Sequence, residues 1–109
     1  LEFRKMSDDE YEFKTKIQDY HINAGGVTHG GFIMSMLDSG MGTAAHQVIE
    51  GKAVTISLNT NFIGGSKAGD EIIGFAKIKK KTRSLIFMYG HLKCEDKLLA
   101  SAEGIWKII

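Results

Sequence analysis

The sequence contains little of several features that mark particular classes of protein. Only one of its 109 residues is cysteine, Cys94, which excludes an internal disulfide framework and cannot form a zinc site by itself. Fourteen Lys and Arg residues against thirteen Asp and Glu residues leave a net charge of +1, so no charge excess points to nucleic acid or a membrane surface. No apolar run approaches the roughly 18 residues of a membrane span, and no charged segment followed by an apolar one opens the chain. We therefore expect no secretory signal and a cytoplasmic location.

Proline is absent altogether, whereas glycine occurs thirteen times. Hydrophobic residues make up 43% of the chain and charged residues 25%, which is the composition of an ordinary globular protein. A chain of this size exposes about 6,000 Å² when folded against roughly 17,000 Å² when extended, so it can bury a real core. We expect one domain that covers residues 1–109.

Hydrophobic periodicity divides the chain into one helix and several strands. The stretch from Glu10 to Gln18 alternates apolar and charged residues, which predicts a half-buried strand. After a glycine-rich loop, apolar residues recur at spacings of three and four, which predicts a helix from about Gly30 to Ile49. Strand-like segments follow at 53–63, 71–79, 84–94 and 98–108, whereas residues 1–6 fit either a strand or a helix end. This order predicts an α+β fold in which a single long helix covers one face of an antiparallel sheet.

Two glycines lie inside the predicted helix. Gly40 and Gly42 each cost a helix about 1 kcal/mol relative to alanine. A helix that keeps both glycines is expected to need close contact with another element, most simply a sheet that lies across it.

The loop before the helix, together with the first helical turn, has the composition of an oxyanion site. Gly30 and Gly31 would let a ligand approach the backbone amides, which are free donors at the positive end of the helix dipole. Asn23 in the same loop offers a side-chain amide, and two convergent donors are what acyl transfer requires. The alternatives are that Asn23 only forms a turn and that the glycines only allow tight packing.

Asp38 is a candidate general base on the same helix. It is flanked by Met36, Leu37 and Met41, and desolvation raises the pKa of a carboxylic acid toward neutrality. A solvent-facing acid is the alternative. Asp38 stands about 12 Å along the helix from Gly30, so one carbonyl cannot touch both groups of one chain. If both act on one substrate, the base comes from a second copy with an antiparallel helix, which predicts a two-fold dimer with two shared sites.

These residues form a recognisable pattern. The segment H-x-N-x-x-G-x-x-H-G-G, from His21 to Gly31, and the following helix with its Leu37-Asp38 pair resemble the hotdog-fold acyl-CoA thioesterases, in the phenylacetyl-CoA thioesterase branch. The similarity runs from about Tyr11 to Lys107, and it includes the strand A-V-T-I-S-L-N-T-N-F, the A-G-D turn and the A-S-A-E-G strand. It implies an α+β hotdog fold, in which a five- or six-stranded antiparallel sheet wraps around one long central helix, and it implies hydrolysis of an acyl-CoA thioester. No metal or redox cofactor is implied, and coenzyme A takes part only as a portion of the substrate.

The resemblance also implies roles for single residues. Asn23 and the Gly30 amide would polarise the thioester carbonyl, and Asp38 of the partner subunit would act as general base or nucleophile. Thr55 would orient the attacking water, and His29 would shape the loop and contact the thioester region. The substrate and coenzyme A site would include Gly31, Ser57, Phe62, Gly64, Gly65, Ser66, Lys67, Lys80 and Arg83. Relatives commonly carry proline in the turn that here reads Gly-Gly-Ser.

Other interpretations stay open. A non-catalytic module could bind acyl-CoA on the same fold, and a hotdog dehydratase or hydratase would act on acyl thioesters, although its proline-bearing signature is absent. The basic run K-K-K-T-R at residues 79–83 is either a solvated hairpin turn or a clamp for the phosphates of coenzyme A. The four histidines lack the spacing of metal ligands. The sequence favours a thioesterase that works as a homodimer or a dimer of dimers, with neither nucleic acid nor membrane as a partner.

Overall fold

Six strands and one helix make up the part of the chain that the computed structural model describes, residues 2–18 and 29–109. In chain order they are β1 (Glu2–Lys5), β2 (Glu10–Lys16), α1 (Gly30–His46), β3 (Ala53–Phe62), β4 (Glu71–Lys81), β5 (Leu85–Cys94) and β6 (Lys97–Ile108). The strands form one antiparallel sheet in the order β1-β2-β4-β5-β6-β3. This is the predicted α+β architecture with six strands, and the ambiguous first segment is a strand. In the described ranges, no helix is both long and apolar enough to cross a membrane.

The helix packs its apolar side onto one face of the sheet. The predicted periodicity is confirmed, because the residues at these spacings are buried against alternate residues of the strands: Ile33, Met36, Leu37, Met41, Ala44 and Ala45. The helix ends at His46, so the predicted end near Ile49 is wrong. The Gln47 and Val48 amides donate to carbonyls only three residues back, over 3.0 and 3.3 Å, and this tighter turn closes the helix early.

Gly40 allows the helix to approach β2 closely. A Cβ atom at Gly40 would lie well inside contact distance of the Phe13 ring, and so would one at Gly74 on β4. The Phe13 ring therefore fills a space between helix and sheet that exists only because both positions lack a side chain. Gly42 is different, because a Cβ atom there would lie 3.4 Å from Nε1 of Trp106. The expected close contact with the sheet is thus confirmed at Gly40.

Substitution of the two helical glycines should have opposite effects on stability. Gly40→Ala is expected to lower the free energy of unfolding by about 1–3 kcal/mol, because Phe13 must leave its position. Gly42→Ala is the matched control and should leave stability unchanged or raise it by up to about 1 kcal/mol, through helix propensity. Urea unfolding of the two variants measures the difference. A Gly40→Ala variant as stable as Gly42→Ala would contradict this packing.

The two edges of the sheet differ in a way that bears on assembly. The β1 edge is four residues long and charged, with ion pairs from Arg4 to Glu12 and from Lys14 to Glu2. The β3 edge is ten residues long, carries no charged residue, and exposes 44% of Val54, 53% of Ile56 and 55% of Phe62. Short charged edges resist pairing, whereas long uncharged apolar edges invite it. The β3 edge is therefore the one suited to pair with another chain.

An aromatic cluster covers part of the sheet face that points away from the helix. The Phe75 ring stacks on the His91 imidazole at 5.1 Å, and the Tyr89 hydroxyl lies 3.0 Å from Nδ1 of His91. Burial lowers the pKa of His91, and the charge of Lys93 acts in the same direction. The imidazole is therefore neutral at pH 7 and serves packing on this face, on the opposite side of the sheet from Asp38.

Candidate active site

The N-terminus of α1 is open to a ligand. His29 is the N-cap residue, but its side chain makes no capping hydrogen bond, and the Phe32 and Ile33 amides both donate to its carbonyl oxygen. Within the described ranges no acceptor pairs with the Gly30 or Gly31 amide, and both glycines are exposed. Among the described residues, the Gly30 and Gly31 amides are therefore unpaired donors at the positive end of the helix dipole. The other predicted donor, Asn23, lies outside the described residues, as does His21.

The two glycines at this terminus have different surroundings. A Cβ atom at Gly30 would lie 3.4 Å from Cε1 of Phe62, whereas one at Gly31 would meet no described atom within 4 Å. Packing against the described residues therefore does not require glycine at position 31. The structure also brings Phe62, a predicted substrate residue, to the same end of the helix as Gly30.

Gly31→Ala should separate the packing explanation from the ligand explanation. The new methyl group has space, so the free energy of unfolding should be unchanged or higher by up to about 1 kcal/mol. If a substrate carbonyl approaches the amides here, the methyl group obstructs it, and turnover should fall by about tenfold or more. Thiol-release assays and urea unfolding on the same preparation provide both values, with Ser35→Ala as the control on an exposed helical position. Full turnover in Gly31→Ala would show that no substrate group approaches the helix at this glycine.

Asp38 and Thr55 form a hydrogen-bonded pair across the gap between α1 and β3. The Thr55 hydroxyl donates to Oδ1 of Asp38 over 2.7 Å. Both residues line an open depression of about 450 Å³ whose other lining residues are Ser39, Gly42, Thr43, His46, Ala53 and Trp106. A short hydrogen bond to an ionised acceptor is a strong one and holds the carboxylate in a defined orientation. The structure thus joins two of the predicted catalytic residues.

The predicted apolar surroundings of Asp38 are not found among the described residues. Met36, Leu37 and Met41 are buried in the core, whereas Asp38 is exposed. Consecutive helical residues are rotated by about 100°, so the adjacent Leu37 points away from Asp38. The described residues therefore leave this carboxylate exposed.

Ser57, which was predicted in the substrate and coenzyme A site, lies on the other face of the sheet from Asp38 and Thr55. The β3–β6 register shifts between Thr55 and Ser57, so Thr55 is opposite Trp106 and Ser57 is opposite Ile105. Without the shift, residues two apart on a strand would share a face; the extra residue, Ile56, puts them on opposite faces. Thr55 therefore faces the helix, and Ser57 lines a shallow depression on the far side of the sheet.

Gly64 is set by packing against β6. The Ile63 and Gly64 amides both donate to the Leu99 carbonyl, over 2.8 and 2.9 Å, and a Cβ atom at Gly64 would lie 2.9 Å from the Leu98 carbonyl oxygen. A side chain at this position would disturb the strand contact. Packing against β6 therefore explains the glycine at position 64 without any ligand.

The other residues of this turn line an open depression of about 600 Å³. Gly65, Ser66 and Lys67 share it with residues of the next turns: Asp70, Cys94, Glu95 and Lys97. The Lys97 ammonium donates to the Gly65 carbonyl over 3.0 Å.

Burial raises the pKa of the Cys94 thiol, and the carboxylates of Asp70 and Glu95 act in the same direction. Cys94 is therefore a thiol rather than a reactive thiolate at neutral pH.

The predicted coenzyme A residues fall at two ends of the helix. Phe62 lies at the N-terminal end, whereas Arg83 lines a depression of about 460 Å³ with residues 47–51, just past the C-terminal end. Those ends are about 24 Å apart along the axis. Of the basic run, Lys79 is paired with Glu103 at 3.0 Å, while Lys80 and Arg83 form no ion pair within the described ranges. One chain alone does not bring the turn after β3 and the basic hairpin together.

His46, for which no functional role was predicted, lies on the rim of the depression with Asp38 and Thr55. The sequence does contain one indication of this position. His46 follows Asp38 by eight residues, about two helical turns, which puts both residues on the same side of the helix. Among the residues that the structure describes, no group of three or more His, Cys, Asp or Glu side chains could hold a metal ion.

Two curated proteins resemble the chain over most of its length. A Pseudomonas aeruginosa protein, whose name assigns it provisionally to the esterases, is 30% identical over 95 residues, covering 85% of this chain and 71% of that protein. Acyl-coenzyme A thioesterase 13 of Mus musculus is 33% identical over 89 residues, covering 78% of this chain and 63% of that enzyme. The chain therefore spans less than two thirds of the mouse enzyme.

A solved structure and a family match complete the comparison. The phenylacetic acid degradation-related protein of Ralstonia eutropha JMP134 has the same fold, with a TM-score of 0.92 at 24% identity over 97% of this chain and 83% of that one. The thioesterase superfamily model matches residues 25–101, a range that includes Gly30, Asp38 and Thr55. The chain therefore belongs to the thioesterase superfamily and adopts its hotdog fold, as the sequence resemblance predicted.

Proposed function

We propose that this protein is an acyl-CoA thioesterase, which hydrolyses an acyl or aryl-acyl coenzyme A thioester to the free acid and coenzyme A. The observation that carries the proposal is the hydrogen bond from Thr55 to Asp38, which orients a carboxylate beside an open depression. Membership of the thioesterase superfamily and the likeness to an acyl-coenzyme A thioesterase support it.

The chemistry needs an oxyanion site and a base. The Gly30 amide and the Asn23 side chain polarise the thioester carbonyl, and their hydrogen bonds strengthen as the oxygen becomes negative. Asp38 accepts a proton from water, whose oxygen then bonds to the carbonyl carbon. When the tetrahedral intermediate collapses, the carbon–sulfur bond breaks and the proton passes to the departing sulfur. Thr55 orients the Asp38 carboxylate and the water, and no step uses a metal or redox cofactor.

Two subunits are needed to assemble this site. Gly30 and Asp38 of one helix are about 12 Å apart, too far for one scissile carbonyl. If the uncharged β3 edges of two copies pair about a two-fold axis, the two α1 helices run antiparallel, and Asp38 of the partner subunit can stand beside Gly30. We therefore propose a homodimer with two shared sites, which further association could extend to a dimer of dimers.

In the proposed dimer, the coenzyme A portion of the substrate could extend from the N-terminus of α1 to the basic hairpin of the partner subunit. With Asp38 of the partner subunit level with Gly30, the C-terminal end of the partner's helix lies about 12 Å beyond the open N-terminus of α1. The basic hairpin beside that end carries Lys80 and Arg83, which would meet the phosphates. Phe62, Gly65, Ser66 and Lys67 would contact the nearer part of the substrate, and His29 the thioester region. The residues that one chain keeps apart would in this way belong to one site.

The test is release of free thiol from a panel of short, medium, long-chain and aryl acyl-CoAs, compared with the Asp38→Asn variant. Release that depends on Asp38 supports the proposal and ranks the acyl groups. Binding of acyl-CoA without turnover would replace it with a sensing module. Loss of 2-enoyl absorbance without thiol release would replace it with a hydratase.

A further inference from the structure

His46, the last residue of α1, links the helix to the first residue of β3. Its Nδ1 lies 2.8 Å from the Gly42 carbonyl oxygen, and the Ala53 backbone N–H donates to its Nε2 over 3.2 Å. A carbonyl oxygen only accepts and an amide only donates, so the imidazole carries its proton on Nδ1 and leaves Nε2 bare. The two partners therefore select one tautomer of the neutral imidazole.

The segment that His46 holds carries Thr55. Ala53 begins β3, and Thr55 follows two residues later with its hydrogen bond to Asp38. The register of β3 shifts directly after Thr55, so residues 53–55 are not aligned continuously with the rest of the strand. As an edge strand, β3 has β6 as its single neighbour in the sheet. Residues 53–55 pair with residues 106–108 of β6 on one side, and the hydrogen bond from Ala53 to His46 ties the same short segment to α1.

We propose that His46 is a positioning residue for Asp38. Its neutral imidazole fixes the start of β3 to the end of α1, and this fixes the Thr55 hydroxyl that orients the Asp38 carboxylate. The inference rests on the proposed function, in which that carboxylate activates water. His46 itself contacts neither water nor thioester in the reaction.

Two substitutions test the role. His46→Phe keeps a ring but removes both hydrogen bonds, and kcat for acyl-CoA hydrolysis should fall by about tenfold or more with KM changed less than about twofold. In His46→Gln the amide oxygen can accept from Ala53 and the amide nitrogen can donate to Gly42, so most of kcat should return. His91→Gln on the opposite face of the sheet is the control and should keep the wild-type kcat.

The outcomes separate this inference from the proposed function. Wild-type kcat in His46→Phe, a rise in KM as large as the fall in kcat, or no recovery of kcat in His46→Gln would overturn the positioning role. If the wild type releases no thiol from any acyl-CoA, the proposed function fails. Amide hydrogen exchange at Ala53 then tests whether His46 holds the start of β3 through its hydrogen bond. Protection lost in His46→Phe and kept in His46→Gln would support it; equal protection in all three proteins would overturn it.

Discussion

Asp38→Asn is expected to lower turnover of acyl-CoA by a factor of 10² or more, about 2.7 kcal/mol of activation free energy, while fold and assembly stay intact. Asparagine has almost the same shape and can still accept the hydrogen bond that Thr55 donates to Oδ1. It cannot take a proton from water, so the loss would report the chemical step rather than the geometry. Because the side chain is exposed in the single chain, the substitution leaves the core undisturbed.

The matched control for this variant is Asp96→Asn, the same change in the exposed turn between β5 and β6. It should keep the wild-type rate. Circular dichroism and sedimentation would verify that Asp38→Asn retains its secondary structure and assembly state. A variant with full turnover would remove Asp38 from the mechanism and leave its pairing with Thr55 as a structural contact.

Ile56→Lys should convert the protein to a monomer and reduce turnover by at least 10²-fold. Ile56 is the extra residue of the register shift on the free β3 edge, and half of its side chain is exposed in the single chain. Pairing of two copies through this edge would bring the two lysines into the interface, where burial of unpaired charges is costly. Each monomer would then hold a glycine-rich helix terminus without the base that the partner supplies.

Ile73→Lys makes the same change at an exposed isoleucine of β4 and serves as the control. Sedimentation velocity gives the assembly state, and thiol release gives the turnover of the same sample. A monomeric Ile56→Lys variant that hydrolyses acyl-CoA at the wild-type rate would show that one chain contains the whole site. An unchanged dimer would show that the chains pair elsewhere.

Sequence periodicity was sufficient for most of the fold because each element has one apolar side. The helix was predicted from spacings of three and four, and its buried residues are those that the pattern selects, such as Leu37 and Met41. Its end was misplaced because Val48 and Ile49 continue the apolar pattern, while the hydrogen bonds have already tightened at Gln47. A hydrophobic pattern predicts which residues are buried, but it does not predict whether a backbone amide donates to the carbonyl three or four residues before it.

The site was harder to predict because it depends on strand register and on another chain. The motif identified Asp38 and Thr55, which the fold does bring together. Ser57 was predicted in the substrate site from the resemblance alone, and no residue type in the sequence indicates the register shift at Ile56 that puts it on the other face of the sheet from Thr55. A solvent-facing Asp38 was the open alternative, and the structure has this side chain exposed because Leu37, its neighbour on the helix, points in another direction.

A mixing experiment shows whether two subunits together form one hydrolytic site. Asn23→Ala and Asp38→Asn would be co-expressed with different tags, and thiol release from the preferred acyl-CoA would be compared with each variant alone. In a mixed dimer one site carries both substitutions and the other carries neither. Random pairing therefore predicts about a quarter of the wild-type turnover. A mixture no more active than the sum of the two separate variants would contradict a shared site.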